Sequence, residues 1–417
     1  MNDLEWIEAA LTAARPQAMG ALLRYFRDLD RAEEAFQEAA LRALQSWPRN
    51  GPPRDPGAWL ILVGRNAALD DVRKANKHEP LPADAVISDL EDAEAPLADR
   101  LDGSHYRDDV LRLMFICCHP DLPATQQIAL ALRIVSGLSV AQIARAFLIG
   151  EAAMEQRITR AKARVAKAGV AFETPGVAER SERLAAVAAM IYLIFNEGYS
   201  AGQDEQRAPL CDEAIRLARI LLNLFRTEPE IMGLTALMLL QQSRLPARFD
   251  AAGEVILLED QDRGKWDTRL ITEGLALIDK AMRHNSPGPY QIQAALAATH
   301  ARARDAADTD WAQIDHLYAA LERMQPSPVV TLNRAVAVAK LNGPAAALAM
   351  LDPLETKLSG YFHYFGARGM FLMQLGRRAE ARTAFDRAIS LANTPAEAAH
   401  IRRHLDRLGR EHPQPSS

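Results

Sequence analysis

Apolar residues recur at the three- and four-residue spacing of an α-helix along almost the whole chain, whereas alternating β-branched runs are hard to find. Alanine and leucine dominate and aromatic residues make up only 6% of the sequence, which also favours helices. At 417 residues the chain is too long for one ordinary core. The sequence therefore predicts an all-α fold divided among several domains.

Charge is segregated along the chain, although the net charge is only −5 and the isoelectric point is about 6.1. Residues 133–167 carry seven Lys or Arg against two Glu, whereas residues 79–109 carry ten Asp or Glu against two Arg. A domain that binds DNA unaided usually has an isoelectric point above about 9. The pattern instead predicts a basic module that follows an acidic, flexible linker at 79–105.

Nothing in the sequence predicts export or membrane insertion. The first residues lack the basic and apolar parts of a secretory signal. The most apolar stretch, 184–195, is far shorter than the roughly 20 residues that a membrane span needs. We therefore expect a cytoplasmic protein.

The basic module contains a predicted helix-turn-helix. Ser139 is a suitable N-cap for a short first helix, and Met154, Ile158, Ala161 and Val165 recur at helical spacing along a second helix. The outward face of such a second helix can enter a major groove, where polar side chains contact base edges and phosphates. The alternative is a solvated pair of amphipathic helices. The side chains predicted to contact DNA are Glu155, Gln156, Thr159, Arg160, Lys162 and Arg164.

Residues of similar character recur 34 positions apart near the C-terminal end of the chain. Thirty-four residues is the period of the tetratricopeptide repeat, in which small side chains let two helices approach each other. We therefore predict a tetratricopeptide-like α-solenoid, with an irregular helical bundle as the alternative. The matched pairs are Ala335 and Gly369, Val338 and Leu372, Ala347 and Ala381, and Leu351 and Phe385.

The segment from Gly137 to Arg164 resembles the C-terminal promoter-binding domain of extracytoplasmic-function sigma factors. It shares an Ile-Ala pair, a turn and a helix that ends in Arg157-Ile158-Thr159-Arg160-Ala161-Lys162. The family usually has Gly in the turn, where this chain has Leu148. Because a left-handed backbone strains a leucine, we predict that the turn shifts onto Gly150.

Two upstream segments resemble the other promoter-reading domain of the same family. Residues 32–39 resemble the helix that docks on the clamp of RNA polymerase, which implies core contacts by Glu34, Gln37 and Glu38. Residues 56–73 resemble the helix beside the −10 element, where a flipped base and the displaced strand are held. Trp59 in this helix is the ambiguous member, because a lone aromatic at helical spacing is more often part of the core. The −10 contacts implied by the resemblance are Arg49, Asn50, Arg54, Trp59, Arg65, Asn66, Arg73 and Lys74.

Three further segments look like hallmarks of a sigma subgroup with a long C-terminal extension: 117–120, 193–199 and 259–267. Cys117 and Cys118 have no second Cys or His pair at metal-site spacing, so Cys117 is predicted to be a buried small hydrophobe. We expect no cofactor, metal or catalytic residue. A buried polar network or a small ligand site is predicted from Asn196, Glu197, Asp260, Asp262 and Arg263.

The resemblance implies an alternative sigma factor that directs core RNA polymerase to double-stranded and melted promoter DNA and performs no covalent chemistry. The extension is expected to regulate it, through a protein partner or an intramolecular contact of the repeats. The alternatives are a tetratricopeptide scaffold and a stand-alone helix-turn-helix repressor. The predicted divisions are region 2 at 1–78, the linker at 79–105, region 4 at 106–170, a helical domain at 178–285 and repeats at 288–410.

Overall fold

A computed structural model of the protein describes residues 3–76, 103–168, 177–200, 209–251, 253, 255–392 and 395–410. By contacts the chain divides into two units, residues 1–198 with 205–217 and residues 199–204 with 218–417. Within the described ranges every regular element is a helix, apart from an isolated bridge between Phe249 and Val255. The predicted all-α fold class is therefore confirmed. Residues 79–102 of the predicted linker lie outside the described residues.

The first unit is built on three helices that pack against one another and form a core around Leu22, Phe36 and Leu60. The first of them also packs against the helix that begins at Gly103. The helices begun in this unit are α1 (Asp3–Phe26), α2 (Leu29–Asn50), α3 (Pro56–Asn76), α4 (Gly103–Cys117), α5 (Ala124–Ile134), α6 (Val140–Ala146), α7 (Glu151–Lys167), α8 (Val177–Ser200) and α9 (Pro209–Leu224).

Local sequence explains where α2 begins and ends. The Asp28 side chain accepts a hydrogen bond from the Arg31 amide at 3.0 Å, which satisfies one free N–H of the first turn. At the other end Gly51 takes a left-handed φ of +78° and donates its amide to the Trp47 carbonyl. The buried residues between these caps recur at helical spacing, so one stripe of α2 faces the core.

Helices α6 and α7 form the predicted helix-turn-helix. Ser139 caps α6 in a reciprocal pair of hydrogen bonds: its hydroxyl accepts from the Gln142 amide at 3.1 Å, and the Gln142 side chain accepts from the Ser139 amide at 2.8 Å. The predicted N-cap is therefore confirmed. The buried stripe of α7 is also the predicted one, since it consists of Met154, Ile158, Ala161 and Val165.

The turn between α6 and α7 differs from the prediction. Leu148 itself takes the left-handed backbone with φ +52°, whereas Gly150 is extended at φ −67°. The Ile149 amide donates to the Ala144 carbonyl and the Leu148 amide to the Arg145 carbonyl, both at 3.1 Å. This pair of bonds is a Schellman motif, which requires a left-handed residue at position 148 whatever its side chain is. The prediction that the turn shifts onto Gly150 is wrong.

Replacing Leu148 with Gly should raise the free energy of unfolding by about 1 kcal/mol. A left-handed backbone costs a side-chain-bearing residue roughly 1–2 kcal/mol, and part of the gain is lost to the greater unfolded-state entropy of glycine. The Leu148 side chain is 64% exposed, so little apolar burial is lost. Urea unfolding of Leu148→Gly and of a Leu148→Ala control measures the effect. The alanine variant keeps the strain and should show no gain.

The second unit is a succession of helix pairs. Each helix packs on the next along the chain, and α10 also packs on α12. Such a stack of antiparallel pairs is an α-solenoid. Its helices are α10 (Pro229–Gln242), α11 (Thr268–Met282), α12 (Pro289–Arg302), α13 (Trp311–Met324), α14 (Pro328–Asn342), α15 (Pro344–Leu351), α16 (Phe362–Gln374), α17 (Arg378–Leu391) and α18 (Pro395–Arg410).

The 34-residue spacing corresponds to the stacking of these pairs. Helices α14 and α16 begin 34 residues apart, at Pro328 and Phe362, and all eight residues of the four matched pairs are buried. The two repeats differ in how they fill one position. In the first repeat the small residue is Ala335 and the large one is Leu351. In the second repeat Gly369 lies against the larger Phe385, whose ring carbons would be 2.5 Å from a Cβ added at position 369. The tetratricopeptide-like solenoid is thus confirmed.

Candidate nucleic-acid interface

Helix α7 presents most of the predicted −35 side chains to solvent. Glu155, Gln156, Thr159 and Arg160 are all exposed and lie opposite the buried stripe. Arg164 is exposed as well, and its Nη1 lies 3.4 Å from the Gln126 side-chain oxygen. This face combines groups that can donate to and accept from base edges with cations for phosphates.

Lys162 does not belong to this free face. Its Nζ lies 2.7 Å from an oxygen of Asp30 and 2.7 Å from an oxygen of Glu33, both on α2. Burial lowers the pKa of Lys162, but the hydrogen bonds that its ammonium donates to the two carboxylates outweigh that effect and raise the pKa above its ordinary value. In the docked arrangement α2 holds the Lys162 ammonium, so the predicted contact of Lys162 with DNA is not available there.

Glu33 is the centre of this contact. Its side chain is only 6% exposed and binds two cations, Lys162 on α7 and Arg133 at 2.6 Å on α5. Its carboxylate thus joins the helix predicted to bind polymerase to the helix predicted to bind DNA. A buried carboxylate with two charge-assisted partners is costly to disrupt, because removing it leaves the cations unpaired.

Arg15 on α1 strengthens the same contact. Its Nε donates to the Ile134 carbonyl at 3.0 Å, its Nη2 donates to the Arg133 carbonyl at 3.2 Å, and its guanidinium lies over the Phe36 ring at 4.5 Å. Burial lowers the pKa of Arg15 to about 10, so it remains charged at neutral pH. Gly137 permits this approach, since a Cβ there would lie 2.7 Å from the Arg15 Cδ. The three N-terminal helices are therefore docked on the helix-turn-helix module.

The side chains predicted to bind core polymerase lie beside Glu33 on α2, and the Gln37 side-chain nitrogen donates to the Glu33 carboxylate at 3.4 Å. Glu34 and Gln37 are exposed, and the half-buried Glu38 pairs with Arg42 at 3.0 Å. Two large apolar residues on the same face, for which the sequence predicted no role, are Leu41 and Leu44, which are 55% and 42% exposed. Exposed leucines beside carboxylates at helical spacing form a surface suited to another protein.

Seven of the eight predicted −10 residues fall into three groups. Arg49, Asn50, Arg54 and Asn66 are exposed. The Arg65 guanidinium is half-buried, over the Tyr25 ring at 4.4 Å. The side chains of the remaining two cations lie outside the described residues, although the backbone of α3 continues through them. These two are Arg73 and Lys74.

Trp59 is a core residue, which corrects its assignment as a −10 contact. Its side chain is 7% exposed and packs edge-on against Trp47, with 5.4 Å between the ring centroids. Trp47 in turn stacks on Trp6. A ring held in this cluster cannot stack on a base.

The cysteines and the acidic residues near 260 lie apart from this interface. Cys117 is buried, as predicted, and burial raises its pKa well above the ordinary value. The Cys118 sulfur lies 3.3 Å from the Met190 sulfur on α8, so α8 packs against the residues that follow α4. Asp260 and Asp262 are exposed, so they are not part of a buried polar network.

Comparison with known proteins identifies the two N-terminal modules. Residues 11–78 match the family model of sigma-70 region 2, and residues 112–165 match that of sigma-70 region 4. The chain is also 30% identical over 141 residues to the ECF RNA polymerase sigma factor SigM of Mycobacterium tuberculosis, a match that covers 34% of this chain and 65% of SigM. The chain belongs to the extracytoplasmic-function sigma factors. Its long C-terminal extension sets it apart from a two-domain sigma factor.

The extension of this sigma factor is shared with at least one other protein. The chain is 69% identical over 413 residues to Uncharacterized protein R00370 of Rhizobium meliloti (strain 1021), covering 99% of this chain and 98% of that protein. Residues 183–282 match a family of unknown function, DUF6596. A likeness to the crystal structure of yeast Tom70 has a TM-score of 0.36 at 13% identity, over 97% of this chain and 85% of Tom70. No described helix is both long and apolar enough to cross a membrane.

Proposed function

We propose that this sigma factor directs core RNA polymerase to specific promoters, reading the −35 element with α7 and the −10 element with residues 49–66. The observation that carries the proposal is the exposed polar face of α7, with Arg160 near its centre, on a capped helix-turn-helix that follows a region 2 module. Core polymerase would bind α2 through Glu34, Gln37 and Glu38 together with Leu41 and Leu44. The polymerase performs the chemistry.

The docked arrangement of the two modules has to open for this function. Promoter elements 25 base pairs apart are separated by about 85 Å of duplex at 3.4 Å per base pair. In the docked arrangement Lys162 is 2.7 Å from α2, so α7 and the −10 surface cannot reach both elements together. A peptide of 26 residues, such as 77–102, can extend to about 90 Å. We therefore propose that promoter binding separates region 2 from region 4 and frees Lys162 for DNA.

The C-terminal extension is proposed to regulate this opening. Its α8 packs on the region 4 side of the first unit through Met190 and through Arg183, whose guanidinium lies 5.6 Å from the centre of the Phe115 ring. A change in the position of α8 would therefore alter the packing of the helix-turn-helix module. The solenoid of the second unit supplies a surface for a protein partner or for an intramolecular contact.

The test is the dependence of promoter binding on core enzyme. A mobility-shift assay with the full chain should show a promoter complex only when core polymerase is present, and run-off transcription should follow it. A salt-sensitive shift by the chain alone would favour a stand-alone repressor instead. No shift under either condition would leave the tetratricopeptide scaffold as the better interpretation.

Replacing Arg160 with Ala should reduce discrimination between the cognate −35 element and a scrambled one by about 1–3 kcal/mol, if Arg160 reads a base. The matched control is Lys167→Ala, an exposed cation in the last turn of the same helix. Loss of a phosphate contact there should weaken binding to both sequences equally. Run-off transcription from the two promoters measures the ratio. Unchanged discrimination in Arg160→Ala would show that the reading face lies elsewhere.

A further inference from the structure

The second unit contains a cavity of about 890 Å³ that the sigma function does not use. It lies among α12, α13, α14, α16 and α18, and residues 257–263 form part of its edge. Small-molecule sites in proteins typically measure about 300–1,000 Å³ and combine apolar walls with a few polar groups. The size of this cavity therefore suits a compact organic molecule.

The walls are largely apolar and aromatic. Ile314, Leu332 and Phe371 are buried residues that line the cavity, and the rings of Trp311 and Tyr318 lie beside them. Aromatic side chains make their most favourable packing contacts with a flat partner that lies against their rings. The walls thus favour a ligand with an aromatic body.

Two histidines in the walls, His300 and His404, add hydrogen-bonding groups without charge. Burial lowers the pKa of His300 to about 4, an effect to which Arg244 and Arg263 add. Burial also lowers the pKa of His404 to about 4, with His400 and two arginines of α18 contributing. His404 is 6% exposed, and its Nδ1 has no hydrogen-bond partner among the residues that the structure describes. At neutral pH these two imidazoles are therefore uncharged.

The fixed charges that line the cavity are two cations and one anion. Lys340 and Glu259 pair at 2.6 Å, and both are more than two-fifths exposed. Arg263 is the remaining cation. Within the described part of the chain it donates only to neutral acceptors, the carbonyls of His300 and Ala303 and the hydroxyl of Thr309, and its Nε has no partner. Asp305 and Asp308 act on it electrostatically without forming an ion pair. The lining therefore has one cation without a carboxylate partner.

We infer that this cavity binds a small aromatic monoanion, with the ring against the aromatic wall and the acidic group toward Arg263 and Lys340. The neutral imidazoles would hydrogen-bond to the ligand body. Such a site would let a small molecule bind the extension, which goes beyond the proposed regulatory role of the extension. The binding test below uses no polymerase, so its outcome is independent of the transcription assays.

Two fluorescent probes with the same aromatic body distinguish charge from shape. 8-Anilinonaphthalene-1-sulfonate is an aromatic monoanion, and N-phenyl-1-naphthylamine is its neutral counterpart. Titrated into the full chain, the anionic probe should bind saturably at one site and more tightly than the neutral probe. Absence of saturable binding by the anionic probe would overturn the inference.

A pair of substitutions on α14 locates the site. Val336 lines the cavity and is 38% exposed, so a tryptophan there can fill the cavity without disturbing a buried core. Val336→Trp should raise the dissociation constant of both probes by on the order of tenfold. Leu341→Trp is the matched control, because Leu341 is 44% exposed on the same helix and does not line the cavity. Equal effects of the two variants would mean that the probes bind outside the cavity.

Two charge variants at the cavity edge test the assignment of an anion. Lys340→Gln should raise the dissociation constant of the anionic probe by about fivefold, and Glu259→Gln should lower it by a similar factor. Each substitution removes one charge at short range from the bound probe. The neutral probe should respond to neither. Both side chains are exposed, and circular dichroism of each variant checks that the fold is retained. A shared response of both probes, or none by the anionic one, would overturn the assignment of an anionic ligand.

Discussion

Replacing Glu33 with Gln should lower the free energy of unfolding of the first unit by about 3 kcal/mol. The carboxylate is 6% exposed and binds both Arg133 and Lys162, so its neutralisation leaves two partly buried cations without their main partner. Removing one member of a buried ion pair costs about 3–5 kcal/mol. We expect the lower end of this range because Lys162 still forms its ion pair with Asp30. Urea unfolding of the full chain, followed by circular dichroism, measures the loss.

Asp30→Asn is the matched control for Glu33→Gln. Both carboxylates bind Lys162 at 2.7 Å, but the Asp30 side chain is 68% exposed. An exposed ion pair contributes about 0–1 kcal/mol, so Asp30→Asn should have little effect on unfolding. If the two variants lose the same stability, burial of Glu33 does not hold the modules together.

Glu33→Gln should also increase transcription. The docked modules have to separate at a promoter. If the contact between them is weakened by about 3 kcal/mol, the ratio of open to docked molecules should increase by up to about 100-fold. Run-off transcription at limiting sigma concentration should therefore increase in Glu33→Gln and stay near its original level in Asp30→Asn. Reduced transcription with core binding intact would show that the contact supports promoter recognition rather than opposing it.

Replacing Gly369 with Ala should lower the free energy of unfolding of the second unit by about 3 kcal/mol. The new methyl group would lie 2.5 Å from two ring carbons of Phe385, which is completely buried and cannot move aside freely. Overpacking of this kind typically costs about 1–3 kcal/mol. The control is Gly360→Ala, since a Cβ at Gly360 meets no atom within 4 Å. Urea unfolding should distinguish the two alanines clearly.

The preceding repeat suggests how to rescue Gly369→Ala. There the equivalent positions hold Ala335 and Leu351, both completely buried. Adding Phe385→Leu should therefore make room for the methyl group, and the alanine should cost less than about 1 kcal/mol in that background. A double-mutant cycle measures this coupling. Additive losses would mean that the two repeats do not pack alike. If the extension regulates the sigma modules, transcription should change in Gly369→Ala and recover in the double variant.

Much of the local structure follows from the sequence, because helices depend on residues a few positions apart. The Ser139 cap and the buried stripe of α7 were predictable from i, i+3 and i+4 spacing. The solenoid was predictable because each repeat presents the same pattern of small and large residues to the next. The exposed Glu155, Gln156, Thr159 and Arg160 follow from the same stripe, although their promoter contacts remain a prediction.

The tertiary structure decided what the same side chains contact. Lys162 meets Glu33 across 129 positions of chain, and Arg15 meets Ile134 across 119, distances over which helical periodicity carries no information. Leu148 takes a left-handed backbone because the turn between two packed helices requires one, and this packing outweighs a penalty of about 1–2 kcal/mol. The sequence by itself determined which helices form and which faces they bury. Only packing between distant helices decided that Trp59 is core, that Lys162 is paired, and that a cavity lies in the extension.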